Sequence, residues 1–203
     1  MTVSILALIL LAAAGLGMIG ARGLLGLKSN HAFWVSGGVC AGYVLILLWR
    51  PDVPWVANLS VLIAGSCLGF LFGHLLGSSA SVLAFLFTAA IVDYLSFSDG
   101  LTNQILEAYR AGNSTILSFL AVFVEIGGRE YAVIGVSDIA ILAAAFVGFR
   151  RATSLSWEPA VWLLLGLASA FAVGVLFNGA PGIPFLAVAG MIFVFRNGRR
   201  MAH

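Results

Sequence analysis

A chain of 203 residues that is 62% hydrophobic and 9% charged, with mean hydropathy +1.10, is not a soluble globular domain, where about a quarter of the residues carry charge. The net charge of +2 comes from basic residues scattered at segment ends, which excludes a nucleic-acid surface. Cys40 and Cys67 lie in apolar runs without ligand spacing, so neither a disulfide framework nor a metal centre is expected, and no cofactor is called for.

A membrane-crossing helix needs about 20 mostly apolar residues, and on that rule the chain holds about seven. The first covers 2–19; Arg22 and Lys28 follow its apolar core instead of preceding it, so it is taken as a retained span and not a signal peptide. The second covers 32–49 and stops at Arg50-Pro51-Asp52. The third, 55–76, carries Gly65, Gly69, Gly73 and Gly77, four residues apart, which on a helix form one smooth strip for close packing. His74 on the same helix is expected to make a polar contact.

The fourth span, 79–97, contains Asp93 in an apolar run, and a polar stretch, 98–115, follows it. Residues 116–124 are apolar but too few to cross as a helix, so they are a strand or a surface segment. The fifth span, 131–149, contains Asp138 and ends at Arg150-Arg151. The sixth covers 160–177. The seventh runs from Pro181 to Phe195 and opens on Pro181-Gly182-Ile183-Pro184, which does not suit a regular helix. Irregular backbone at membrane depth survives only against protein or a water-filled cavity.

The fold class expected is an all-α membrane protein, a polytopic bundle of about seven transmembrane helices in one domain, 1–203. Its packing helices lie in 1–77, its functional core in 79–195 and its tail in 196–203. With seven spans, one side carries Arg22, Lys28, Arg150, Arg151, Arg196, Arg199 and Arg200, the other Arg50, Arg110 and Arg129. The Lys/Arg bias places the first side, with the C-terminus, in the cytoplasm and the N-terminus outside, in a multi-pass protein of the cell membrane. The last three arginines suit an anionic lipid surface.

A carboxylate in hydrocarbon costs about 2.5–3.5 kcal/mol even on the lenient insertion scale. Asp93 lies about five residues before the end of its span and Asp138 about seven into the next, so at 1.5 Å per residue they stand roughly 8 and 10 Å below the same side. Pro181–Pro184 enters from that side too. Two carboxylates within reach share a proton: one activates water and the other polarises a peptide carbonyl, without metal or covalent intermediate. The competing assignments are structural hydrogen bonds or a proton path.

Gly135-Val136-Ser137-Asp138 resembles the Gly-x-Gly-Asp motif of the presenilin and signal peptide peptidase intramembrane aspartyl proteases. Asp93 is similar in position to their other catalytic aspartate, and Pro181-Gly182-Ile183-Pro184 to their Pro-Ala-Leu motif. The resemblance covers about 79–195. Ser137 replaces the second glycine, Val92 precedes Asp93 where the family has Tyr, with Tyr94 following, and there are two spans fewer than the family's nine.

The resemblance implies a presenilin-like catalytic core with Asp93 and Asp138 catalytic, and with Tyr94, Gly135, Val136 and Ser137 supporting them. Pro181, Gly182, Ile183 and Pro184 would bind substrate, which would be a single-span membrane protein or signal peptide. The piece 116–124 would pair with the unwound substrate as an added strand. The alternatives are a prepilin-type peptidase, an inactive member that binds helices, with Ser137 crowding a neighbour, or a proton-coupled carrier of small solutes.

Overall fold

Glycine at every fourth position of 65–73 decides how the chain packs. The computed structural model describes residues 2–49, 54–98, 120–153, 157–177 and 181–201; the polar stretch 99–115 and residues 116–119 lie outside them. Four helices come first: α1 (Thr2–Leu25), α2 (Ser29–Trp49), α3 (Pro54–Leu75) and α4 (Ser79–Ser98). An antiparallel hairpin follows, β1 (Ala121–Ile126) and β2 (Arg129–Gly135), and then α5 (Val136–Thr153), α6 (Glu158–Phe177) and α7 (Ile183–Met201). Thr2–Leu25, Trp55–Leu75, Ser79–Ser98 and Glu158–Leu176 are long and apolar enough to cross a membrane, which marks a membrane-embedded protein. The apolar part of α7, Ile183–Asn197, is shorter.

The glycine strip of α3 lies against α5. A Cβ at Gly65 would stand 2.7 Å from Ile139 Cγ2, and one at Gly73 2.6 Å from the Ala144 carbonyl oxygen; one at Gly69 would overlap the Ala143 Cβ. No side chain fits between the two backbones, so the helices touch along three turns and run parallel. Gly77 has open space around it and plays no part. The partner face suits this contact, since Ala143, Ala144 and Ala145 are fully buried. Every residue of α5 from Leu142 to Phe149 is buried, the pattern of a helix enclosed on all sides. α1 closes another side, where Gly17 meets Ile139 and Gly20 meets Ser66 of α3.

α4 and α7 form an antiparallel pair on the opposite flank: Leu86 meets Gly190, and Asp93 meets Ile183. α4 begins on a reciprocal cap. The Ser81 N–H donates to Ser78 Oγ at 3.1 Å, and the Ser78 N–H donates to Ser81 Oγ at 3.0 Å, which satisfies two donors that a helix start leaves free. α6 and α7 are joined by Asn197, whose Nδ2 donates to Glu158 Oε1 at 3.1 Å. α7 runs on to Met201, beyond the expected start of the tail at residue 196.

The end of the bundle away from the hairpin is basic and aromatic. The Arg22 guanidinium sits 4.2 Å over the Trp157 ring and that of Arg196 5.7 Å over Trp162, contacts that hold a charge against an apolar surface. Arg151 donates to the His74 carbonyl, and the His74 ring packs against Phe33 and Phe70.

The fifth element departs from expectation. Residues 131–149 are not one helix: 129–135 is strand and the helix starts at Val136. Gly127 and Gly128 have φ of 62° and 76°, the conformation a tight two-residue hairpin turn needs. The turn folds Tyr131 and Val133 back onto 121–126, so extended pairing displaces the first helical turns. The all-α expectation therefore holds for the bundle but not for this hairpin, and 121–124 belong to a strand, one of the two forms expected. The irregular start of the last helix is also shorter than expected. Pro184 lies in the first turn of α7, where its missing N–H costs nothing, so only Pro181 and Gly182 stand outside it.

Gly69→Leu should lower stability by about 1–3 kcal/mol or more, the cost of overpacking a closed contact. The check is the thermal unfolding midpoint in detergent, where Gly77→Ala should leave the midpoint unchanged.

Candidate functional site

Asp138 is the third residue of α5, and its position in the helix explains its partner. A helix start leaves backbone N–H groups without acceptors. An acid at the third position reaches back to the residue before the first turn, and here the Gly135 N–H donates to Asp138 Oδ2 at 3.1 Å. The spacing Gly-x-x-Asp follows from this geometry. A Cβ at 135 would itself stand 3.1 Å from the same carboxylate oxygen, so glycine leaves the room in which the side chain folds back.

The hairpin carries this helix start into the bundle. Val136 donates its N–H to the Leu120 carbonyl at 2.8 Å, which extends the ladder past the Ala121–Gly135 pair into the first residue of α5. Ile139 sits beside Gly65, 11 residues into α3. At 1.5 Å per residue, Asp138 therefore lies roughly 16 Å below the N-terminal end of that helix. It is not seven residues into a span, as the sequence suggests, yet it lies deep, because the chain descends as strand.

Asp93 reaches the same level from α4. Gly148 meets Val82; Asp93 lies 11 residues beyond Val82, and Asp138 10 residues before Gly148. Both acids stand roughly 15–17 Å above that crossing, on helices that neighbour each other and run antiparallel. Asp93 is half-buried, and its Oδ2 accepts the Ile183 N–H at 2.9 Å. It thus caps α7 from another helix, as Asp138 caps its own. The positive end of each helix dipole faces a carboxylate.

The supporting residues separate into two groups. Ile183 is buried and Gly135 and Val136 are half-buried, all bonded as described. Pro181 and Gly182 are half-buried just before α7, and Pro184 lines an outer groove between α6 and α7 with Gly166 and Phe185. Tyr94 points away, 61% exposed on the outer face of α4. Ser137 is exposed and crowds no neighbouring helix. Among the described residues no group of three or more His, Cys, Asp or Glu is placed to hold a metal ion.

One residue of this region escapes sequence inspection. Asn58, near the start of α3, donates its Nδ2 to the Phe123 carbonyl at 2.7 Å and accepts the Phe123 N–H at Oδ1 at 2.8 Å. Its signal was a lone amide in an apolar helix, a group that is costly unless bonded. No family model, curated protein or solved structure matches this chain.

Asp93→Asn keeps an oxygen for the Ile183 N–H and should unfold near the parent midpoint. Asp93→Leu removes the cap and should cost about 0.5–2 kcal/mol, read by the same thermal measurement.

Proposed function

We propose that this protein is an intramembrane aspartic endopeptidase that cleaves peptide bonds within transmembrane helices, with Asp93 and Asp138 as its acid–base pair. The observation that carries this is that two carboxylates stand at one depth on antiparallel neighbouring helices. Brought to one substrate bond, two such acids would hold one proton between them. The ionised carboxylate takes a proton from water as the water attacks the peptide carbonyl, and the protonated one donates to that carbonyl oxygen; the proton taken from water then passes to the peptide nitrogen, the C–N bond breaks to release the amine, and a hydroxyl proton returns to the other carboxylate. The resemblance to presenilins and signal peptide peptidases adds the order of acid helix, acid helix, plain helix and Pro-started helix.

The substrate is a single membrane-crossing helix or signal peptide, reached through the lipid. The outer face of α4 beside Asp93 supports this: Ile91, Val92 and Leu95 are all at least 60% exposed and give an apolar helix a surface to lie on. Once unwound, the substrate has extended backbone to pair with in the hairpin directly before Asp138. The inactive alternative rests on Ser137 crowding a neighbour, and the exposure of that side chain favours an active pair instead. In the bilayer the basic end, with Arg22, Arg150, Arg151 and Arg196, faces the cytoplasm together with the C-terminus, in contact with anionic lipid.

Asp93→Asn and Asp138→Asn, each in detergent or liposomes with a reporter helix, should reduce cleavage to background while thermal stability stays near that of the parent. Cleavage retained by either variant removes the pair. Proton flux into liposomes that depends on Asp93, without proteolysis, would replace this assignment by a carrier.

A further inference from the structure

We infer that Asn58 is a positioning residue of this site, one that sets the register of the hairpin and through it the placement of Asp138; its link to cleavage rests on the protease assignment above. An amide side chain in an apolar helix is costly unless it is bonded. It is retained here with both polar groups used, each on the backbone of a single residue, Phe123. A side chain that bonds both the N–H and the C=O of one strand residue acts as a short neighbouring strand.

The place of that contact matters. The ladder runs regularly from Ile126–Arg129 to Phe123–Ala132 and then steps to Val122–Ile134. Val133 is therefore an extra residue on β2, a bulge opposite the residue that Asn58 holds. Two residues further on is Gly135, whose N–H binds Asp138. A two-stranded ladder is weak by itself, and a slip of one residue turns every side chain to the opposite face. Were the bulge to anneal, Ile134 would leave the core, where it is 4% exposed, and the Gly135 amide would move off the carboxylate. Asn58 ties β1 to α3, the helix whose glycines already fix α5. Strand and helix are thereby referred to the same support, and the amide that orients Asp138 is held between them.

The test uses the full-length protein with Asn58→Leu, and with Asn58→Ser as the milder change. Two quantities are read: amide hydrogen exchange of the 120–136 segment, and cleavage of a reporter helix with products identified by mass. The expected result is at least tenfold faster exchange across 120–136 with α3 and α5 still protected. It comes with a fall in kcat of at least tenfold, KM changed by less than threefold, and redistribution among neighbouring scissile bonds. Exchange that does not change overturns the inference. So does faster exchange with kcat and cleavage positions retained, the outcome of a merely structural contact. If the parent protein cleaves no reporter helix, the protease assignment falls; the exchange result alone then decides whether Asn58 holds the Gly135 amide.

Discussion

Close contact between α3 and α5 is the constraint on which the rest depends. Gly65, Gly69 and Gly73 let the two backbones approach until no side chain fits between them. That approach encloses α5 and sets its height against a longer helix. Because α5 starts opposite the middle of α3, the chain must reach that depth in another form. Extended backbone in an apolar interior is tolerated only when its polar groups are paired. The hairpin pairs those between its strands: β1 and β2 satisfy each other, Val136 continues the ladder onto Leu120, and on the outer edge of β1 Asn58 takes the groups of Phe123.

The two acids fit the same economy of backbone donors. A buried helix start needs acceptors for its first N–H groups. α5 finds one in Asp138 and α7 finds one in Asp93. Each carboxylate is oriented by backbone, so its position is as rigid as the helix start it caps. Under the proposed protease reading, oxygens held in this way would lose little freedom on reaction. One set of contacts closes helix ends and orients both carboxylates.

The opposite end of the bundle serves another purpose. Arg22 and Arg196 lie over tryptophans, and Arg151 bonds the His74 carbonyl at the end of α3. These contacts tie helix ends together where charge meets the apolar interior, roughly 20 Å from the acids at 1.5 Å per residue. Charge is thus divided along the molecule, cationic at one end and acidic within.

Much of this was legible in the residues themselves. Membrane embedding followed from hydropathy, the packing role of the glycine strip from its spacing of four, and the need of Asp93 and Asp138 for polar partners from the cost of an acid in an apolar run. Gly127-Gly128 announced the turn, but Tyr131–Gly135 joined an apolar run long enough to pass for helix, and local pattern cannot rank extended pairing against helical continuation when both bury the same side chains. The identity of the strip's partner, the depth of Asp138 at a helix start, the Asp93 contact with a helix 90 residues away and the use of Asn58 were decided by tertiary structure. Each depends on which backbone groups come together across the bundle, and hydrogen-bond partners distant in the chain leave no periodic trace along it.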